Sequence, residues 1–253
     1  TYNGALTFAG REKTQTITSA GKAFAQNIII DAYGSSVELA DALNNGSLGI
    51  TVTNGTFNTN NYNVTTFIFN SSNSNVRTIT LGSSTLTIST TNAITFDPTN
   101  LTFNANTSTI NLTSTLAVTL AGGGMTFYNV SFTGTTAVTH AVTGANTFNN
   151  LTFTAPAAAG LMQCTFSANQ TINGTLTCAG ASAVRRIFLR SDTIGTQRDL
   201  TVGTLSATDC DFRDIDILGS ASGSSPTRAG DCGGNSGITF PAAKTVYWNL
   251  AGA

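Results

Sequence analysis

The sequence predicts an all-β protein dominated by a right-handed parallel β-helix, a solenoid formed by a single chain. Short runs of alternating apolar and polar residues, such as "STLTIS" and "LAVTL", recur from end to end. Almost no stretch has the apolar spacing of a helix. One sequence template also recurs, and its two longest copies, "TFYNVSFTG" and "TFNNLTFTA", start 21 residues apart at Thr126 and Thr147. That distance is typical of one coil of a solenoid, and the chain is long enough for about ten coils.

The composition agrees with a packed β-structure. Of the 253 residues only 9% are charged, whereas 40% are hydrophobic, and the hydrophobic residues are mostly β-branched or aromatic. The formal net charge of −1 gives no long-range attraction to phosphate, so we expect no nucleic-acid partner. No apolar run approaches the length of a bilayer span, so we expect no membrane insertion. Because the chain begins at Thr1 without Met, we interpret it as a processed product or a part of something longer.

The repeated template predicts both core and turn positions. It reads Asn, aliphatic, any residue, Phe or Ile, any residue, small, as in "TNLTFNA" and "YNVSFTG". Its two apolar positions are expected to point inward and to stack from coil to coil, Val130 with Phe132 and Leu151 with Phe153. Asn tolerates left-handed backbone, so the template Asn is expected at equivalent turns. These turn positions are Asn27, Asn100, Asn129 and Asn150.

Together, "NTNNYNVTT", "VRTITLGSSTLTIS", "RRIFLRSDTIGTQRDLTV", "CDFRDI" and "GDCGGNSGITF" carry a resemblance that covers most of the chain. The sequence resembles the repeat-rich β-helical structural proteins of bacteriophage virions, of the tail or fibre type, and is similar to bacterial β-helix surface adhesins. The resemblance lies in the repeats and not in a catalytic motif. It implies a fibre, tail or surface appendage, located on a virion or an extracellular surface. The expected partners are other virion proteins or copies of the chain itself, and a host-surface glycan.

Changes in composition divide the chain into three parts. Residues 1–218 carry the repeats and form the predicted β-helix domain. Residues 219–237 are rich in Gly and Ser, which is typical of a loop or linker. Residues 238–253 return to a β pattern, and we interpret them as a C-terminal strand or the start of a further module.

The stretch "GDCGGNSG" at residues 230–237 is similar to the sequence around the nucleophile of chymotrypsin-like proteases. A Cys232 nucleophile would need a histidine base, and the one histidine is His140, between two copies of the repeat. Such a protease also needs two antiparallel barrels, which these repeats do not describe. We therefore expect no protease. No CxxC spacing accompanies the remote histidine, so no zinc site is expected either.

The four cysteines leave two interpretations open. One is a disulfide between Cys210 and Cys232, which would fasten the Gly/Ser segment to the coil, with Cys164 and Cys178 as the second pair. The other is that Cys178 and Cys210 are buried free thiols, because they occupy positions that the alternation assigns to the interior.

Acidic residues are concentrated late in the chain, and they raise the alternative of a glycan-cleaving enzyme. β-Helices can host polysaccharide lyases and hydrolases that use carboxylates on one face. The candidate carboxylates are Asp209, Asp211, Asp214 and Asp216. Alternation predicts that Asp209 and Asp211 share an outer face with Arg213. Arginines accompany these carboxylates and no aromatic cluster lies nearby, so we favour ion pairing between adjacent coils over catalysis.

Thr-x-Thr runs raise ice binding as a third class of function. They occur at residues 51–53, 78–80, 85–87 and 175–177. The threonine ladders of ice-binding solenoids require the run at the same place in every coil. Here the spacing along the sequence is irregular, so strand preference is the simpler explanation for the threonines.

The sequence therefore predicts a non-enzymatic structural component of a phage virion appendage, a tail or capsid fibre, that needs no cofactor. Its expected role is host-surface attachment or virion assembly. A bacterial secreted or surface adhesin is the alternative, and a β-helix glycan depolymerase is the further alternative.

Overall fold

Parallel pairing of short strands builds the described part of the chain, residues 4–242 of a computed structural model. Within these residues the coils stack into a β-solenoid of about 10 turns with essentially no helix. The predicted all-β fold and parallel β-helix are therefore confirmed. A single 3-10 turn, Gly219–Ala221, follows the last long coil.

The described residues form 23 strands. In chain order these are β1 (Leu6–Phe8), β2 (Gln15–Ile17), β3 (Ile28–Leu39), β4 (Leu43–Asn45), β5 (Ile50–Asn58), β6 (Val64–Thr66), β7 (Phe69–Ser71), β8 (Arg77–Thr80), β9 (Thr85–Ile88), β10 (Asn92–Phe96), β11 (Leu101–Asn104), β12 (Thr109–Leu112), β13 (Thr119–Ala121), β14 (Thr126–Phe132), β15 (Thr139–Thr143), β16 (Thr147–Thr154), β17 (Gly160–Phe166), β18 (Gln170–Ala179), β19 (Arg185–Ser191), β20 (Arg198–Thr208), β21 (Cys210–Arg213), β22 (Ile215–Leu218) and β23 (Gly230–Asp231).

Two sheets run along the solenoid. Sheet A follows the order β1-β3-β5-β7-β10-β13-β15-β17-β19-β21-β23, with β2 paired to β3 and a side branch in which β8 joins β5 to β11. Sheet B follows the order β22-β20-β18-β16-β14-β12-β9-β6-β4. Between paired strands, the length of a coil varies from 17 residues between Arg198 and Ile215 to 30 between Gln170 and Leu200. The turns and corners absorb this variation, so the strands stay aligned.

The interior is one continuous hydrophobic core that runs along the solenoid. Val130 lies beside Leu151 in register, and the Phe132 and Phe153 rings stack with centroids 4.9 Å apart. The four predicted core residues are thus buried in adjacent coils, as the template indicates. Stacked aromatic pairs of this kind add to the free energy gained by burying their area.

The template Asn residues occupy three kinds of position. Asn100 has left-handed backbone at φ 56°, and Asn27 immediately precedes β3 and accepts a hydrogen bond from the Gly49 N–H. Asn129 and Asn150 lie inside β14 and β16, where the Asn150 amide donates to the Asn129 side-chain oxygen at 2.8 Å. These two residues stack as expected for adjacent coils, but within strands and not at turns.

Residues 219–237, interpreted from their composition as a loop or linker, continue the coil path. The Ile217 N–H donates to the Ser236 carbonyl, and the Ser236 N–H donates to the Ile215 carbonyl. Strand β23 pairs with β21 in sheet A. Most of the predicted C-terminal segment, residues 238–253, lies outside the described residues.

Candidate functional site

The densest group of charged side chains surrounds Asp209 near the C-terminal end of the solenoid. We call Arg186, Asp209, Asp211 and Arg228 the Asp209 cluster. The Asp209 side chain is fully buried and receives two hydrogen bonds of 2.6 Å from Arg228, through Nε and Nη2. Arg186 Nη1 lies 3.5 Å from the same carboxylate. The hydrogen bonds from Arg228 lower the pKa of Asp209 against the opposing effect of burial, so the carboxylate stays ionised.

Asp211 is held by the second guanidinium of the cluster. Arg186 donates from Nε to Oδ2 at 2.8 Å and from Nη2 to Oδ1 at 2.6 Å, a bidentate pair. The Arg186 Nη2 group also donates to the Arg228 carbonyl. The hydrogen bonds with Asp211 raise the pKa of Arg186. The favoured prediction, ion pairing between Arg and Asp of adjacent coils, is confirmed for these residues.

The four candidate aspartates do not share one face. Asp209 and Asp214 occupy left-handed corners at φ 47° and 54°, whereas Asp211 lies on β21 in sheet A and Asp216 on β22 in sheet B. The prediction that Asp209 and Asp211 share an outer face was wrong, because Asp209 precedes the strand and turns into the corner. The left-handed corner backbone favours a short polar residue such as Asp, and the corner takes Asp209 out of the alternation of the strand.

His140 and Cys232 are too far apart to act together. His140 points inward from β15, whereas Cys232 follows β23, four strand spacings or about 19 Å along sheet A. Within the core, His140 Nδ1 accepts the Val118 N–H at 3.1 Å, and Nε2 has no partner. Burial lowers the pKa of His140 to about 4. His140 therefore cannot serve as a base for Cys232.

All four cysteines are free thiols, so neither predicted pairing, Cys210–Cys232 or Cys164–Cys178, is formed. Cys164, Cys178 and Cys210 are buried, and Cys232 is exposed. Strand alternation separates Cys210 from Cys232, because Cys210 faces the core beside Cys178 while Cys232 lies on the outside. Burial, followed by the hydrogen bond with Cys178, raises the pKa of the Cys210 thiol. Among the described residues no group of three or more His, Cys, Asp or Glu side chains could hold a metal ion.

The outer face of sheet B carries two straight columns of small polar side chains, which we call the first and second columns. Each column takes one Thr, Asn or Ser from each successive strand. The first column is Asn44, Thr65, Thr87, Asn111, Ser131, Thr152, Thr177 and Ser206. The second column is Thr85, Thr109, Asn129, Asn150, Thr175 and Thr204.

This alignment is invisible in the sequence, where the Thr-x-Thr runs are irregularly spaced. Coils of different length place the runs at 85–87 and 175–177 in the same two columns, with three strands between them, whereas the runs at 51–53 and 78–80 lie in sheet A. The columns mix Thr with Asn and Ser, so the structure shows no ladder of Thr-x-Thr in every coil, and the argument against such a ladder is not contradicted. A search for Thr, Asn or Ser at alternate strand positions, without a fixed period, could have found the columns.

A groove of about 580 Å³ opens near the N-terminal end, beside a bulge in β3. Tyr33 (66% exposed) and Val76 (71% exposed) line it together with Glu12. Hydroxyl groups complete the lining: Thr14, Ser35, Ser36, Thr56 and Thr78. An exposed aromatic ring among hydroxyl groups and one carboxylate is a suitable surface for a sugar. The sequence did not single out this groove.

Comparison with known protein families, with curated proteins and with solved structures finds no match to this chain. Within residues 4–242, no helix has the length and apolar character needed to cross a membrane.

Proposed function

We propose that the chain is a non-enzymatic structural component of a phage virion appendage, a tail or capsid fibre that contacts the host surface or joins other virion proteins. The observation that carries the proposal is the single core that extends without interruption through about 10 coils. Such a solenoid resists bending because each coil is hydrogen-bonded to its neighbours along both sheets. A stiff rod of this kind suits an appendage on a virion or an extracellular surface.

The charged residues support a structural role over a catalytic one. A glycoside hydrolase needs two carboxylates that flank the scissile bond. Here the carboxylates of Asp209 and Asp211 are occupied by Arg228 and Arg186, and Asp216 belongs to the other sheet. Pairs held by two short hydrogen bonds are suited to fastening coils and are poorly placed to transfer a proton to a sugar.

The groove beside β3 supports attachment to a host-surface glycan. The Tyr33 ring can cover the apolar face of a sugar, and the hydroxyl groups and Glu12 can bond its hydroxyls. The same groove would serve a bacterial secreted or surface adhesin, which is the alternative function.

Purified particles distinguish these functions. We expect peptides of this chain in caesium-gradient-purified phage particles at a constant ratio to the major capsid protein, measured by mass spectrometry. An unrelated abundant host protein serves as the contamination control. Recovery of the chain only from the medium or surface of uninfected bacteria would support the adhesin and contradict the fibre.

A second experiment tests the alternative that the chain is a glycan depolymerase. Incubation of the protein with host capsule or lipopolysaccharide is expected to release no new reducing or unsaturated ends. If ends are released, and the release is lost in Asp211→Asn, the chain is an enzyme and the proposal of a purely structural role fails.

A further inference from the structure

Except for Asn44 at its end, which accepts the Gly46 N–H, the first column of sheet B consists of polar side chains that the described part of the chain leaves unpaired. From Thr65 to Ser206, none of its side chains hydrogen-bonds another group within residues 4–242, and all are exposed or half-buried. The second column differs, because Asn150 donates to Asn129 and its side-chain oxygen accepts the Thr175 N–H. The face therefore presents a straight row of free donors and acceptors beside a row that is already tied together.

We infer that this outer face of sheet B is a contact surface between two copies of the chain. The two copies meet face to face, so that the first column of one lies against the hydroxyl and amide groups of the other. The inference does not depend on the phage function, since a secreted adhesin could associate in the same way.

Periodicity is the first argument for a second copy as the occupant. Strands of a sheet are spaced about 4.8 Å apart, so the columns repeat at that distance. A second copy has the same repeat, and its side chains can meet those of the first in coil after coil without accumulating a mismatch. Dry, interdigitated contacts between identical sheets rich in Asn and similar residues follow the same principle.

Charge is the second argument. The strands of sheet B from β4 to β18 contain no Asp, Glu, Lys or Arg. The charged side chains of this sheet are confined to β20 and β22 at one end, where Arg198, Asp199 and Asp216 lie. A neutral face can approach its own copy without the repulsion that like charges would cause.

The size of the face is the third argument. The eight strands from β4 to β20 contain from 3 to 11 residues each, 50 in all, and each residue covers about 3.3 Å along a strand by 4.8 Å between strands. The face is thus about 800 Å² per copy, which is the area that a stable, specific interface buries on each partner. Because the later strands are longer, the centre of this area lies between β14 and β16, and a two-fold axis there brings the region of Ser131 and Thr152 close to its own symmetry mate.

The test measures the mass of the full chain in solution by light scattering after gel filtration and by sedimentation. We expect twice the chain mass of 26.0 kDa for the wild type. Thr152→Arg places two like charges near the axis and is expected to weaken the dimer by about 100-fold or more. The matched control is Thr95→Arg, which alters an outward, half-buried threonine of sheet A and should leave the dimer intact.

Circular dichroism establishes that both variants keep the β-structure of the wild type. A wild-type chain that stays monomeric at 100 μM would overturn the inference, as would a dimer that survives Thr152→Arg but is lost in Thr95→Arg. A monomer that slows ice recrystallisation, and loses this effect in Thr152→Arg, would instead assign the columns to ordered water.

Discussion

His140 shows how the interior of the solenoid changes the chemistry of a single side chain. Its ring packs 5.0 Å from that of Phe132, and the Val118 N–H donates to Nδ1. A proton on Nδ1 would displace that hydrogen bond and place a charge in the core. Burial therefore lowers the pKa of His140 to about 4 from the ordinary value of 6.5.

The free energy of unfolding should consequently change with pH between 6.5 and 4, mostly above the pH at which the aspartates titrate. The unfolded chain binds a proton at His140 below pH 6.5, whereas the folded chain binds it only near pH 4. The contribution is therefore fully present above pH 6.5 and is lost as pH falls toward 4, with a total loss of about 3 kcal/mol. The free energy of unfolding in urea at several pH values measures this loss.

The control for this prediction is His140→Leu, which should be less stable at pH 7 but should vary little between pH 6.5 and 4. Four aspartates also have lowered pKa values, but the stability that they contribute is lost mainly as pH falls below their ordinary pKa of 3.8, which is outside the range from pH 6.5 to 4. They are Asp41, Asp97, Asp192 and Asp209. An equal pH dependence in wild type and variant would show that His140 is not the responsible group.

Arg77 is a second residue whose role depends on its surroundings. It is one of two charged residues between positions 42 and 184, and its side chain is buried. Its guanidinium donates to the Ser71 hydroxyl and to four backbone carbonyls, those of Ser71, Asn75, Asp97 and Thr99. Burial lowers the pKa of Arg77 and the nearby Asp97 opposes this effect. The side chain thus ties the turn residues Asn75, Asp97 and Thr99 to the end of β7.

At the scale of the element, Gly55 lies where two adjacent strands come very close together. Gly55 in β5 has φ +74°, and a Cβ added there would overlap the Ala32 carbonyl in the neighbouring β3. Gly34 in the bulge of β3 has φ +71°, but a Cβ there would contact nothing within 4 Å. The two glycines share a backbone conformation and differ in the space around them.

Substitution by alanine separates these two effects. Gly34→Ala is expected to cost about 1 kcal/mol of unfolding free energy, the strain of left-handed backbone alone. Gly55→Ala must also push β5 away from β3 and is expected to cost about 3 kcal/mol or more. Urea unfolding midpoints compare the two variants, and equal losses would contradict the close approach at Gly55.

The columns of sheet B illustrate the limit of reading elements from the sequence. Several strands follow from their alternation, among them β9 within "STLTIS", where Thr85 and Thr87 alternate with the buried Leu86 and Ile88. Which outward residues become neighbours depends on the length of every intervening turn. Because the turns differ, one coil of sheet B between β4 and β20 takes from 20 to 30 residues. Sequence spacing alone could not align Thr87 with Asn111, Ser131 and Thr152.

For the whole molecule, the weak points of a solenoid are its ends, where a coil has a neighbour on only one side. The Asp209 cluster joins the last coils near the C-terminal end. The Asp209 N–H donates to the Thr227 carbonyl, and its carboxylate binds Arg228. These bonds hold the segment that follows residue 219 against β21, over the buried Cys210.

Loss of the Asp209 cluster should open the C-terminal end of the solenoid before its middle. In the wild type only Cys232 is expected to react quickly with N-ethylmaleimide, because the other three thiols are buried. Asp209→Asn removes the charge that holds two guanidinium groups and should speed labelling of Cys210 by about tenfold or more, leaving Cys164 protected. Peptide mass spectrometry follows each thiol over time.

The matched control for Asp209→Asn is Asp192→Asn. This variant breaks a more exposed ion pair, that with Arg198, and should leave the labelling of Cys210 unchanged. Equal labelling of Cys210 and Cys164 in Asp209→Asn would argue against opening from the end. A wild-type chain with no reactive thiol before reduction would instead support the disulfide between Cys210 and Cys232.

The sequence by itself determined the class of fold, the inward residues of the repeats and the pairing of arginines with aspartates. These follow from periodicity and composition, which act over a few residues and are visible in the chain as written. Only the tertiary structure decided that Asp209 turns inward at a corner, that Cys210 lies beside Cys178, and that the polar residues of sheet B form columns. Each of these depends on how turns of unequal length place distant residues side by side, and no local rule for a single residue or strand contains that information.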